Sequence, residues 1–170
     1  MVLRLLNDYM TRKEYNEAVE LYADNLFRFV VKHTQNRMLS EDIIQDTFSK
    51  VWEKHESIDA SKAKSYLFTT AYHQLVDTLK KEKRTSSYDG QDVKQDDQLS
   101  HLFDVQKTLQ EAVNRLPEIQ KTVILLRDYE GYNYNEIADI TSLNESQVKV
   151  YIFRARQTLK NYLKSTELVA

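Results

Sequence analysis

Apolar residues recur along this chain mostly at intervals of three and four, the spacing of helices that bury one face. Tyr15, Ala18, Leu21, Tyr22, Leu26, Phe29 and Val30 predict a first helix. A second runs from Ser40 to His55, with Ser40 as N-cap, Glu41 and Asp42 in a favourable first turn, and Ile44, Phe48, Val51 and Trp52 on its apolar side. After the polar stretch Glu56 to Lys64, a third helix is expected from Ser65 to Arg84, with Phe68, Ala71, Tyr72, Leu75 and Leu79 facing inward. Towards the C-terminus, Tyr134 to Ile140 and a longer helix after Asn144 flank the turn Ser142-Leu143-Asn144, which spells a helix-turn-helix. In the longer helix Val148, Ile152, Ala155, Leu159 and Leu163 share one apolar face, and Ile137, Ala138 and Thr141 of its partner can pack on it.

Composition narrows the class. Two glycines and one proline in 170 residues argue against a turn-rich β fold, so the chain is read as all-α. The periodicity lapses in residues 85–104, where Asp89, Asp92, Asp96, Asp97 and Asp104 stand against one Lys. That stretch is expected to be a flexible acidic linker. The expected organisation is therefore two small helical domains, residues 1–84 and 105–170, the second containing the helix-turn-helix. No cysteine occurs, which removes disulfides, thiolate metal sites and a cysteine nucleophile, and the four histidines lack ligand spacing with one another. No glycine-rich phosphate loop or nucleophile with a partner base is visible, so no catalytic, cofactor or metal site is expected. The opening MVLRLLNDYM is too short in its apolar run for a signal segment, and no stretch approaches the ~20 apolar residues of a membrane span. A soluble, cytoplasmic protein without membrane insertion is expected.

Charge is segregated rather than abundant. There are 24 basic and 26 acidic side chains, a net charge of −2, which is not that of a free-standing, high-affinity DNA binder. Yet between Ser146 and Lys164 the chain carries five Lys or Arg and no acid. Ser146, Lys149, Val150, Phe153 and Lys160 project away from the apolar face of the last helix, flanked by Gln147, Arg154 and Arg156. A basic helix end can be a solvated surface; exposed Val150 and Phe153 beside cations fit a major groove, where they could meet thymine methyls. On the second helix Asp42, Gln45, Asp46, Ser49 and Glu53 form an acidic-polar stripe, readable as a solvated face or as a docking surface for a basic partner. On the third, Tyr66, His73, Asp77 and Lys80 line up outward, ending in Lys80 to Arg84. Such a face can stack bases and meet phosphates, although the terminal cations also suit the helix macrodipole.

SEDIIQDTFSKVW, then YLFTTAYHQLVDTLKKEKR, then LPEIQKTVILLRDYEGYNYNEIADITSLNESQVKVYIFRARQTL resemble, in order, the two regions of a bacterial RNA polymerase sigma factor of the extracytoplasmic-function class. The resemblance implies a transcription initiation factor that binds core polymerase through its β′ and β subunits, reads promoter DNA, and is held by an anti-sigma factor. It implies that Asp42, Gln45, Asp46, Phe48, Ser49 and Trp52 belong to the helix docking on β′. It places the minus-10 element on Tyr66, His73, Asp77, Lys80, Lys81 and Arg84, with the Glu56 to Lys64 loop taking a flipped base. It gives the minus-35 element to Ser146, Gln147, Lys149, Val150, Phe153 and Arg154, and runs the acidic linker towards the RNA exit path. The chain departs from the family pattern at His73, where Asn is usual, at Lys80 and Lys121, where Arg is usual, and at Ser142, where the turn often has Gly; Lys121 keeps the charge. A stand-alone helix-turn-helix regulator is the alternative class, and would have no need of the Asp42 to Trp52 and Tyr66 to Arg84 helices.

Overall fold

The computed structural model describes residues 9–85 and 102–166. Within them the backbone is helical apart from short connections and one isolated bridge between Tyr9 and Asp59.

Helix α1, Arg12–Thr34, starts where Thr11 accepts from the Glu14 amide while the Glu14 carboxylate accepts from the Thr11 amide, a reciprocal capping box. It ends at Gln35, which turns left-handed (φ 54°) and donates its side-chain amide to the carbonyls of Val31 and Lys32. That reversal leaves Asn36 extended and ready to cap α2, Arg37–Lys54, by accepting from the Leu39 amide. The cap expected at Ser40 is thus displaced. Asn caps at least as well as Ser, and the helix begins one turn earlier, so Ser40 is buried inside it, donating to the Asn36 carbonyl at 2.7 Å. Glu41 and Asp42 accordingly lie beyond the first turn, and Glu41 pairs with Arg37 instead. Two single-turn 3-10 segments, His55–Ser57 and Ala60–Lys62, lead into α3, Ala63–Thr85.

These three helices close around Leu26, Phe29, Val30, Ile43, Val51, Leu67, Phe68, Ala71 and Leu75, each nearly or fully removed from solvent. Burial of such a side chain contributes about 1.5–3 kcal/mol for the larger residues. Leu21, assigned to the apolar face of α1, is 67% exposed: its position falls on the edge of the stripe, past the reach of α2 and α3.

The C-terminal unit comprises α4 (Leu102–Asn114), α5 (Glu118–Ile124), α6 (Tyr134–Thr141) and α7 (Glu145–Ser165). α5 runs on into a wider π-helical turn, Leu125–Tyr129. Its core joins Val113, Leu116, Val123, Leu126, Ile137, Ile140, Val148, Ile152 and Ala155. Leu159 and Leu163 are only half-buried at the far end of α7. The acidic stretch 85–104 falls almost wholly outside the described residues; at its edges α3 includes Thr85 and α4 starts at Leu102, so helix takes residues that composition gave to the linker.

The two helical domains lie against one another. α6 packs along α3, the π-helical turn meets α1, and α5 reaches the end of α1 through Lys121 and Thr122 at His33, with the Tyr132 ring edge-on to Phe68 at 4.9 Å between centroids. Lys121, which stands where Arg is usual, is 5% exposed: its Nζ donates to the His33 carbonyl at 2.7 Å and to Asn114 at 3.1 Å, and burial lowers its pKa. At the C-terminus of α1, that cation meets the negative end of the helix dipole.

Candidate nucleic-acid interface

Local signals fix the helix-turn-helix. Asn133 and Glu136 form a capping box at the start of α6, and Asn144 and Gln147 form another at the start of α7. Between the helices Ser142 adopts the left-handed conformation, φ 59°, the conformation that makes glycine common at such turns. Val148, Ile152 and Ala155 are buried, which turns the opposite side of α7 outward: Ser146, Gln147, Lys149, Val150, Phe153 and Arg154 are all exposed there. Val150 is 45% and Phe153 66% exposed, so the apolar groups expected beside the cations do stand in solvent.

The cations of α7 are not equivalent. Arg156 forms a two-pronged ion pair with Asp128, 2.6 Å and 3.2 Å, which braces α7 against the π-helical turn and raises the arginine's pKa through that hydrogen bonding. Lys149 lies 3.8 Å from Glu145 one turn back and over the Tyr134 ring, both exposed contacts that a phosphate could displace. Arg154 and Lys160 stay exposed.

On the N-terminal domain, Tyr66, His73, Asp77, Lys80, Lys81 and Arg84 are exposed along α3, as their spacing anticipates. The structure adds a wall. Lys50, Glu53 and Lys54 of α2 face Tyr66, Thr69, Thr70, His73 and Gln74 of α3 across a groove of about 470 Å³. Sequence reasoning missed Lys50, Lys54, Thr69, Thr70 and Gln74. Only the pairing of α2 with α3 brings them together, although Lys50 and Lys54 one turn apart are a visible signal. Two lysines against one glutamate, with a tyrosine, a histidine and three neutral hydrogen-bonding side chains, give the cleft a net-positive, partly aromatic lining that suits a phosphodiester strand with unstacked bases.

The acidic stripe divides in two. Asp42, Gln45, Asp46 and Ser49 are exposed on α2. Phe48 and Trp52 are half-buried: Trp52 stacks on His55 at 4.2 Å and meets Tyr15 edge-on at 5.0 Å, while Arg12 lies over its face. Both side chains are therefore partly covered beside the stripe. Among the described residues no three His, Cys, Asp or Glu converge as a metal site would require, and no helix is long and apolar enough to cross a membrane.

A helix-turn-helix with an apolar-cationic reading face, joined to a three-helix domain with a cationic, aromatic groove and an acidic stripe, defines a two-module promoter-binding factor. Comparison with known proteins agrees. Residues 18–85 match the family model described as Sigma-70 region 2 and residues 106–159 the model described as Sigma-70, region 4, which between them span most of the chain. The ECF RNA polymerase sigma factor SigM of Bacillus subtilis is 28% identical over 156 residues, covering 85% of this chain and 92% of that relative. The ECF RNA polymerase sigma factor RpoE of Cereibacter sphaeroides is 25% identical over 170 residues, covering 95% and 93%. Among solved structures, the sigma factor RpoE of Bartonella quintana, in complex with the anti-sigma factor NepR, aligns with TM-score 0.75 and 25% identity over 89% of this chain and 98% of that one. CnrH, solved with the cytosolic domain of CnrY, shares the fold with TM-score 0.68 at 20% identity, over 91% and 90%. The chain belongs to the extracytoplasmic-function class of sigma factors, and it is a transcription initiation factor that directs RNA polymerase to promoters.

Proposed function

We propose that the labour is divided among three surfaces. Residues 1–84 dock on polymerase and handle the minus-10 element, residues 105–170 read the minus-35 element, and residues 85–104 connect them. Asp42, Gln45, Asp46 and Ser49 on α2 form the polymerase contact, with Phe48 and Trp52 setting that helix's outer face. The α2–α3 groove and the Tyr66, His73, Asp77, Lys80, Lys81, Arg84 row hold the opened non-template strand. Ser146, Gln147, Lys149, Val150, Phe153 and Arg154 enter the major groove of the minus-35 element. The observation that carries this reading is the exposed Val150 and Phe153 between Lys149 and Arg154 on a capped recognition helix. An isolated surface gains nothing from displaying that pair, whereas a groove lined with thymine methyls and phosphates matches it.

The protein acts by binding, without a catalytic step of its own, and works in the cytoplasm beside polymerase and chromosome. Small cationic faces offset by acids give weak, salt-sensitive binding to free duplex. Tethered together on polymerase, the modules raise each other's local concentration and so act as one reader. An anti-sigma factor is the expected antagonist, since the sigma factor RpoE of Bartonella quintana, which shares this fold, was solved in complex with the anti-sigma factor NepR.

The decisive experiment is transcription in vitro with core polymerase, paired with a pull-down of core by Asp46→Arg. The charge reversal should reduce core association at least tenfold with helicity unchanged. Undiminished association would remove α2 from the polymerase contact.

A further inference from the structure

A short stretch ahead of α1 is tied to the loop that joins α2 to α3. Tyr9 and Asp59 face each other as an antiparallel pair, and the Met10 amide donates to the Ile58 carbonyl at 2.7 Å. One pair of extended residues is weak by itself, but here the neighbouring side chains are sunk as well: Met10 is 2% exposed and Ile58 4%. Around them the loop stands in solvent, with Glu56, Ser57, Ser61 and Lys62 exposed. Its other hydrogen bonds are local. The Ile58 amide donates to the His55 carbonyl at 3.1 Å, the Lys62 amide to the Asp59 carbonyl at 2.9 Å, and the Ser61 amide and hydroxyl to the Asp59 carboxylate at 2.9 and 2.7 Å. Each of these shapes a turn from within, and among them only the Met10 bond comes from a distant part of the chain.

The stretch is itself anchored. The Glu14 carboxylate accepts from the Thr11 amide at 2.7 Å and from the Thr11 hydroxyl at 2.8 Å, which fixes the residue after Met10 to the first turn of α1. In that same turn Tyr15 donates its hydroxyl to the Phe48 carbonyl of α2 at 2.9 Å, and Tyr15 and Arg12 both lie against Trp52, whose indole stacks on His55 where the loop begins. The start of α1 thus reaches the loop twice, through Trp52 at His55 and directly at Ile58.

We propose that Tyr9 to Thr11 are a brace that holds the Glu56 to Lys64 loop in its base-receiving shape before DNA arrives, with Met10 as a positioning residue for the minus-10 element. The positioning role rests on the reading that gives that element to the N-terminal domain; the brace itself does not. An unbraced loop samples many backbone states, and a strand that binds one of them loses affinity in proportion to the fraction populated. With the brace set, the ordering is completed in folding rather than at the promoter, so the loop meets the strand as a fixed receptor. Met10 is buried and therefore acts through Ile58 rather than on the strand.

Amide hydrogen exchange on the full chain tests the brace without DNA or polymerase. Met10→Pro removes the backbone donor and the buried side chain together. It should speed exchange of the Ile58, Ser61 and Lys62 amides by about tenfold or more, while amides within α2 and α3 keep wild-type protection. Met10→Leu keeps both features and should match wild type. Met10→Ala keeps the donor, loses the buried side chain and should fall between them; it carries the test if Met10→Pro does not fold. The functional arm uses holoenzyme and a single-stranded oligonucleotide bearing the minus-10 sequence of a promoter that the holoenzyme opens in vitro. A loop in its receptive shape about a tenth of the time binds about tenfold more weakly, so Met10→Pro should lose about that much affinity for the oligonucleotide, with core association and affinity for minus-35 duplex unchanged. Loop amides that keep wild-type rates would overturn the brace, and so would acceleration spread equally through α2 and α3, which would make Met10 an ordinary core residue. Faster loop exchange with undiminished strand binding would overturn the positioning role. A wild-type holoenzyme that does not bind the oligonucleotide would overturn the minus-10 reading and the positioning role with it, while the exchange rates still judge the brace.

Discussion

Acidification should loosen the junction between the two domains through His33. The imidazole is buried (5% exposed) between Phe29 of α1, whose ring meets it edge-on, and the α5 residues Glu118, Lys121 and Thr122. Thr122 Oγ1 donates to the Glu118 carbonyl and therefore accepts from His33 Nε2 at 2.8 Å, which assigns the neutral ring its Nε2–H tautomer and leaves Nδ1 bare. Burial, with the Lys121 ammonium beside it, depresses the histidine pKa to about 3. Glu118 Oε2, 3.5 Å from Nδ1, pulls the other way, but its side chain is half in solvent and is shared with Lys83 at 4.0 Å, so burial and Lys121 dominate. Because the unfolded or undocked chain takes up the proton first, near pH 6.5, the stabilisation is complete above that value and is lost as pH falls below it. Between pH 7.5 and 5.5 the loss amounts to about 1.4 kcal/mol, a factor of ten in the equilibrium. Urea unfolding at the two pH values, for wild type and His33→Gln, isolates this contribution, since every other titrating group is common to both. Wild type should lose about 1.4 kcal/mol more than the variant. Equal losses, or a wild type that gains on acidification because the Glu118 pair prevails, would refute the assignment.

Two further outcomes are expected. Lys149→Ala and Arg154→Ala should each weaken holoenzyme binding to the minus-35 element several-fold, by about 1 kcal/mol per lost phosphate or base contact, and lower the salt dependence, while minus-10 contacts persist; footprinting both elements checks this, and equal loss at both would contradict the division of labour. Ser142→Gly should stabilise the C-terminal domain by about 0.5–1 kcal/mol, because glycine takes a φ of 59° without the strain of a Cβ; a lower midpoint in thermal unfolding would count against it.

The helices were legible because their apolar spacing is local: Val148, Ile152 and Ala155 declare the inner face of α7, and Asn144 with Gln147 declares its start. Where two caps compete, as Asn36 and Ser40 do, the choice depends on the left-handed Gln35 before them, which the sequence does not advertise. The outward rows on α3 and α7 could be read for the same reason as the helices. The groove could not, since Lys50 and Lys54 meet Thr70 and Gln74 only after α2 and α3 pack. Arg156 counted as one more exposed cation until its partner Asp128, far away in sequence, appeared beside it. Lys121 and His33 carried no signal at all, because their burial arises between domains rather than within a helix.

The capping boxes at the starts of α1, α6 and α7 are each completed within four consecutive residues, so none of these helix starts is borrowed from a distant part of the chain. The end of α1 differs: the His33 carbonyl is satisfied by Lys121, and the Lys32 carbonyl is shared between Gln35 and Gln110, from the other domain. Parting the domains therefore leaves the DNA-reading pair of helices intact and uncaps only the final turn of α1. That turn acts as an internal gauge, ordered when the halves are together and prone to fray when they separate.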